Sequence, residues 1–248
     1  MALPLVDQVA VVTGAASGIG AAIALQLADL GAAVLVNHLD TPEAAEAIAA
    51  EIRRHGRRAL VHAADVTDRA AVLGMVAAAE AGLGPVDLLV NNVGGLIETR
   101  RFLDFDDALW DRIFALNVKS AFICSQAVLP GMIARRRGQI VNVSSIAAET
   151  GAPGGSIPYA AAKGAMNTLT LGLARELAEH GIRVNAVAPG LIATPFHAGH
   201  ERSLPQRVAA IPLGRMGEPD EIARVVGFLV SDQASYVTGQ VWTVAGGR

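Results

Sequence analysis

The chain has 248 residues, 52% of them hydrophobic and 17% charged, with 20 Lys and Arg against 23 Asp and Glu for a formal net charge of −3. This balance excludes a disordered chain and gives no global attraction to nucleic acid or an anionic membrane. The length suits one α/β domain over 1–248, and the single cysteine, Cys124, excludes an internal disulfide, as suits a reducing cytoplasm.

The start, MALPLVDQVAVV, lacks the basic region of a secretion signal, and no 18-residue apolar stretch suggests a membrane span. A soluble cytoplasmic protein is expected. Short β-branched runs at 8–13, 32–37, 58–63, 86–91, 139–144, 183–188 and 240–244 alternate with alanine-rich helical stretches such as 19–31 and 41–56. The runs are continuously apolar, as strands covered on both faces should be. Strand and helix alternate along the whole chain, which predicts a Rossmann-type, doubly wound α/β fold with a seven-stranded parallel sheet flanked by helices. The Gly- and Pro-rich segment 189–207, reaching to about 210, is the one long irregular stretch and is expected to cover the substrate.

TGAASGIG (13–20) joins the first strand to the first helix. Gly14 would allow the tight turn, Gly18 a close approach to a pyrophosphate, and Gly20 the packing of helix on strand. Ser17 and Ile19 share this turn, and the helix start would face phosphates with its unpaired N–H groups. The spacing, G-x-x-x-G-x-G, differs from the common G-x-G-x-x-G, so three structural glycines remain an equal reading. At the end of the second strand stand Asn37 and His38, where an NAD enzyme usually carries an acid for the ribose 2′-hydroxyl. Asp40 lies beyond the strand. Asn37 would not repel a 2′-phosphate, so NADP is favoured with NAD tolerated; an exposed loop position is the other reading of His38.

IPYAAAKGAM (157–166) holds one of two tyrosines, four residues before a lysine. A phenol with a pKa near 10 is a poor base at neutral pH, but a nearby cation lowers that value. Tyr159 and Lys163 share a helix face at i and i+4. A carbonyl substrate needs a second donor, and VNVSSIA (141–147) offers Ser144 and Ser145 at a strand's C-terminal edge. Alone, the tyrosine and lysine would read as an amphipathic surface pair.

They occur with ADV (64–66), NNVG (91–94), LNV (116–118), VSS (143–145) and PGLIAT (189–194), in one order with TGAASGIG. Together these resemble the short-chain dehydrogenase/reductase family over nearly the full length. The resemblance implies NAD(P)-dependent hydride transfer between nicotinamide and a carbonyl or secondary alcohol. It implies Tyr159 as acid/base, Lys163 as its pKa partner and ribose ligand, and Ser145, the second serine, as carbonyl donor. Asn117 would hold a water of the proton relay. Asp65 and Val66 would contact adenine, Asn91 and Gly94 the adenosine ribose, and Pro189, Gly190, Ile192 and Thr194 the nicotinamide. NNVG stands for the commoner NNAG and VAGG (244–247) for VDGG; ending at Arg248 is expected to remove a tail that reaches neighbouring subunits. The helix holding 125–134 resembles the family's subunit-pairing helices, so a homotetramer or homodimer is expected.

HAGHE (197–201) lacks the spacing of a metal motif, and no metal is expected. ARRRG (134–138) suits a helix C-terminus, with docking of an acidic acyl carrier, helped by Arg175, as its other reading. Cys124 reads as a small buried hydrophobe. The substrate could be a 3-oxoacyl thioester, a sugar or polyol, or a small ketone. A dinucleotide-binding redox sensor without turnover is the rival, disfavoured because a sensor need not keep an acid/base.

Overall fold

A computed structural model of the chain describes residues 3–152, 155–197 and 204–248. The apolar runs form strands β1 (Val9–Val12), β2 (Ala33–His38), β3 (Ala59–Ala63), β4 (Val86–Asn91), β5 (Gly138–Val143), β6 (Ile182–Pro189) and β7 (Val241–Val244). Each lies within one residue of its expected bounds. Between them come helices α1 (Gly18–Asp29), α2 (Pro42–Arg54), α3 (Arg69–Gly82), α4 (Asp107–Phe114), α5 (Ser120–Arg135), the single turn α6 (Ala147–Thr150), α7 (Ile157–Leu177), the short α8 (Leu204–Ala209) and α9 (Pro219–Val230).

Local chemistry sets several boundaries. The carboxylate of Asp68 accepts from Ala70 N–H at the start of α3, and that of Asp106 from Leu109 N–H at the start of α4. Such bonds satisfy donors that a helix start leaves unpaired. Helix α9 opens with a reciprocal capping box between Glu218 and Glu221.

The seven strands form one parallel sheet in the order β3-β2-β1-β4-β5-β6-β7. Successive residues serve opposite layers. Ala10, Val12, Val34 and Val36 pack with Ile23, Leu27, Val226 and Leu229 of α1 and α9. Val9, Val11 and Leu35 pack with Met75, Val128, Met132 and Leu177 of α3, α5 and α7. Both faces are covered, which is why the strands read as continuous apolar runs. The chain winds outward from β1 to β3, then crosses to β4 on the other side of β1. Ligands bind such sheets beyond the carboxyl ends of the strands at this reversal.

Two expectations change. The run Asp107–Arg135 has the length and hydropathy (1.4) of a membrane span. Its apolar face packs within the fold, with Ile123, Cys124, Val128 and Met132 in the same cluster as Leu89 and Ile140, so it reads as a core helix. The segment 189–207 is not wholly irregular, since Pro195–His197 form a 3₁₀ turn and α8 begins at Leu204. The rest of its central part, and of HAGHE after His197, lies outside the described residues.

Candidate active site

The turn after β1 depends on backbone that only glycine adopts readily. Gly14 has φ +60 and Gly18 φ +55. At Gly20 an added Cβ would lie 2.2 Å from the Gly14 carbonyl oxygen, so α1 rests directly on the turn. Ser17 precedes the helix in extended conformation and makes no side-chain cap bond. Gly14, Ser17, Gly18, Ile19 and Gly20 all line one cavity of about 770 Å³. The helix start thus borders it with N–H groups that lack intrahelical partners.

Asn92, which the sequence reading did not single out, locks this turn to the end of β4. Its carboxamide donates to the carbonyls of Thr13 (2.9 Å) and Gly14 (3.1 Å). The Thr13 hydroxyl in return accepts the N–H groups of Asn92 (3.0 Å) and Val93 (3.2 Å). The doubled asparagine of NNVG was the available signal. Across the cavity Thr194 approaches the turn, 3.3 Å from where a Cβ on Gly18 would stand.

At the end of β5 the two serines part company. Ser144 is buried, and its hydroxyl contacts Asn167 Oδ1 (2.5 Å) and the Lys163 carbonyl (3.2 Å). Ser145 accepts Ala147 N–H (3.1 Å) and hydrogen-bonds the Tyr159 phenol. Burial pushes the phenol above its ordinary pKa of 10.0, and the Ser145 bond opposes that. Lys163 is fully buried, and burial pushes its ammonium down from 10.5 to about 8. Its Nζ donates to the Val143 carbonyl (2.8 Å) and lies 5.7 Å from the Tyr159 ring centroid.

Helix α5 is preceded by a π turn over Ala115–Lys119, a widening often found at functional sites. It carries Asn117, whose Oδ1 accepts Gly95 N–H (3.0 Å) while Nδ2 donates to the carbonyls of Gly95 (2.8 Å) and Ile113 (2.9 Å). A Cβ on Gly94 would meet Asn117 Oδ1 at 2.7 Å and Lys163 Nζ at 2.8 Å. Gly94 therefore holds open a space that both groups border.

Ser145, Tyr159, Lys163, Gly94, Pro189, Gly190, Ile192 and Thr194 line the same cavity as the glycine turn. Several other expected residues do not. Asn37 is buried, its Oδ1 accepting Gly14 N–H (3.1 Å) and its Nδ2 facing the carbonyls of His38 (3.2 Å), His62 (3.3 Å) and Ala64 (3.1 Å). This side chain is fully engaged by backbone and has nothing left for a ribose. His38 is a buried strand residue rather than an exposed loop one, and its Nδ1 accepts Thr41 N–H (3.3 Å). Asp65 binds Thr67 through N–H (2.8 Å) and hydroxyl (2.7 Å), and Val66 is buried in the core. Asn91 donates to Asn142 (2.9 Å) and Ser125 (3.3 Å) inside the fold.

The weaker signals fall elsewhere. Within ARRRG, Arg135 donates to the Val86 carbonyl (2.7 Å), Arg136 to that of Glu179, and Arg137 lies 3.7 Å from Asp87. These arginines sit where β4 and β5 begin, at the opposite edge of the sheet from the cavity. Cys124 is buried and its thiol is pushed up to about 12. Among the described residues no cluster of three potential metal ligands forms. Phe196, whose ring centroid lies 6.3 Å from that of Tyr159, and Arg207 line the cavity from within the 189–207 segment expected to cover the substrate, though neither residue was singled out there. Arg248 lines it with no signal in the sequence reading. None stands in a recognisable spacing.

The residues present fit a dinucleotide. Glycine backbone and a helix start form a cradle that any Cβ would obstruct, and the cavity runs from there to a serine, a phenol and a buried ammonium.

Comparison with known proteins agrees. The family model described as Enoyl-(Acyl carrier protein) reductase, of the short-chain dehydrogenase type, matches residues 14–248. The chain is 41% identical over 98% of its length to (2S)-[(R)-hydroxy(phenyl)methyl]succinyl-CoA dehydrogenase subunit BbsD of Thauera aromatica, covering 96% of that protein. It is 41% identical over 96% of its length to the 3-oxoacyl-[acyl-carrier-protein] reductase FabG of Staphylococcus aureus, again covering 96%. A solved 7 alpha-hydroxysteroid dehydrogenase, complexed with NADH and 7-oxo glycochenodeoxycholic acid, superposes with TM-score 0.93 at 36% identity, covering 99% of this chain and 96% of that one.

Proposed function

The chain belongs to the short-chain dehydrogenase/reductase family, and on that premise we propose how its own residues carry out NAD(P)-dependent oxidation and reduction of a carbonyl/alcohol pair. The observation that carries the proposal is the meeting of Ser145, Tyr159 and Lys163 in one cavity with the glycine turn. When bound, the dinucleotide supplies or takes up the hydride at its nicotinamide. Gly14, Ser17, Gly18, Ile19 and Gly20 would hold its pyrophosphate, Gly94 and Lys163 its nearer ribose, and Pro189, Gly190, Ile192 and Thr194 the nicotinamide end.

Ser145 donates a hydrogen bond to the substrate oxygen and keeps it beside the phenol. Tyr159 gives its proton to that oxygen in reduction and withdraws it in oxidation. Lys163 faces the phenol with an ammonium whose burial makes it an easily released proton source. Asn117, on the π turn, ties down the main chain of Gly95 beside Gly94, which supports a relay through water there. The rival redox sensor has no use for this group and is not favoured.

NADP is the proposed preference, with NAD accepted. In support, neither Asn37 nor His38 places a carboxylate at the end of β2, although the NADH named with the 7 alpha-hydroxysteroid dehydrogenase keeps NAD in contention. The substrate is a carbonyl compound, and the two relatives' names put acyl thioesters first among the classes to be screened. A homotetramer is proposed because Trp110 of α4, Phe122 of α5 and Trp242 of β7 stay partly exposed. A cytoplasmic location is proposed from the single, buried Cys124.

The deciding experiment screens 3-oxoacyl thioesters, small ketones and polyols against NADP and NAD by reduced-nicotinamide absorbance. Turnover that requires Tyr159 supports the reading. Tight dinucleotide binding with no turnover of any class would return the sensor.

A further inference from the structure

Among the described residues, the side chains lining the cavity that are charged at neutral pH are all cations. Lys163, Arg207 and Arg248 border it and no Asp or Glu does, although acids outnumber bases in the chain as a whole. Lys163 is held between the Val143 carbonyl and the Tyr159 ring, and is accounted for by the chemistry above. Arg207 is not. It is half-buried on α8, and among the described residues no carboxylate pairs with it. The turn after α8 is anchored to the end of the chain, since Leu213 N–H donates to the Gly246 carbonyl (3.1 Å) and Ile211 packs where a Gly246 Cβ would stand. This holds α8 beside the end of the chain after β7, on the segment that also carries Phe196.

We propose that Arg207 binds an anionic group of the substrate, a carboxylate carried on the same molecule as the reacting carbonyl. This rests on the hydride-transfer reading of the site. A guanidinium offers a planar fork that matches a carboxylate in two bonds, and partial removal from water strengthens the pair. Arg207 is already under strain of this kind: burial, and then the charge of Arg248, lower its pKa. An anion between them relieves both. Phe196, on the loop joining β6 to α8, supplies an apolar wall beside Tyr159, so the site is shaped for an apolar ketone with a charged far end.

The test measures kcat/KM for 4-oxopentanoate, 5-oxohexanoate and 6-oxoheptanoate, each beside its methyl ester, in the parent enzyme, Arg207→Gln and Arg207→Lys. Acetoacetyl-CoA is set against a phosphate-free acetoacetyl thioester to separate a substrate carboxylate from a carrier phosphate. The parent is expected to prefer at least one acid over its ester by tenfold or more. Arg207→Gln should abolish that preference while changing ester turnover less than threefold, and Arg207→Lys should restore part of it. The ester serves as the folding control within each variant. Ester turnover with no acid preference in the parent, or a preference that survives Arg207→Gln, overturns the proposal and leaves the hydride-transfer reading standing. Loss confined to the CoA pair overturns the carboxylate in favour of a carrier phosphate. No turnover of any compound overturns both readings.

Discussion

The ends of β2 and β5 look alike in sequence and behave differently in the fold. β2 closes on two adjacent polar residues, Asn37 and His38, and β5 is followed at once by two, Ser144 and Ser145. In both pairs the first side chain is consumed by the protein: Asn37 by four backbone groups, Ser144 by Asn167 and the Lys163 carbonyl. At β5 both serines border the cavity, but only the second bonds the tyrosine. At β2 it stays buried and accepts Thr41 N–H. Neighbouring residues on an extended chain point to opposite sides, so one of each pair is structural almost by necessity. What differs is whether a cavity meets the other.

The largest test of this contrast is at β5. Tyr159→Phe and Ser145→Ala should each lower kcat by at least about 100-fold, the size of a lost proton donor or orienting bond. Ser144→Ala should change kcat less than tenfold and act instead on stability, because it empties a bond to Asn167. Dinucleotide titrations should show near-parent affinity in all three. Equal loss of kcat in Ser144→Ala and Ser145→Ala would erase the distinction between the serines.

At β2 the contrast predicts damage to the fold rather than a clean change of cofactor. Asn37→Asp removes the donor that faces three carbonyls and sets a buried charge against them. Leaving such groups unmatched costs about 1–3 kcal/mol or more, so the midpoint of urea unfolding should fall clearly. Only a variant that keeps the fold can report on the ribose. His38→Asp keeps an acceptor for Thr41 N–H but also buries a carboxylate, so it too should lower the urea midpoint. Because His38 does not line the cavity, this variant's NADP-to-NAD ratio of kcat/KM should stay within about threefold of the parent's. Wild-type stability in Asn37→Asp, together with a tenfold change in cofactor ratio, would make Asn37 the ribose reader after all.

These cases show what was legible. The sheet could be read because strands covered on both faces leave long apolar runs, and the bounds of β4 fell where the sequence put them. The serine pair, tyrosine and lysine could be read because their chemistry needs fixed types at fixed spacing. The phase of a strand end could not be read at β2, since Asn37 and His38 are both polar and nothing local says which faces inward. Asn92 and Asn167 act by bonding to residues distant in sequence, and Arg207 reaches the cavity only because the chain after β6 folds back. Contacts made by tertiary return leave no local periodicity.

The smallest expected effect concerns Lys163, the buried partner on the β5 side, whose carbonyl receives Ser144 and whose ammonium donates to Val143. Its folded pKa of about 8 lies below its ordinary 10.5. Between those values the folded state binds fewer protons than the unfolded chain, so stability should rise with pH across that window. Below pH 8 the lysine is charged in both states, and its burial counts against folding by on the order of 3 kcal/mol. Lys163→Met removes that burden but leaves the Val143 carbonyl without its donor, which returns about 1–3 kcal/mol. The net expectation at pH 7 is a gain near 1 kcal/mol, or about 2–4 °C in Tm for a chain of this size, alongside lost activity and weaker dinucleotide binding. Thermal unfolding of parent and variant at several pH values from 7 to 10.5 measures this directly. The parent curve should climb relative to Lys163→Met from about pH 8 upward and overtake or meet it near pH 10.5. Parallel curves would mean that Lys163 pays no burial penalty in the fold, and the proton source assigned to it would then need another origin.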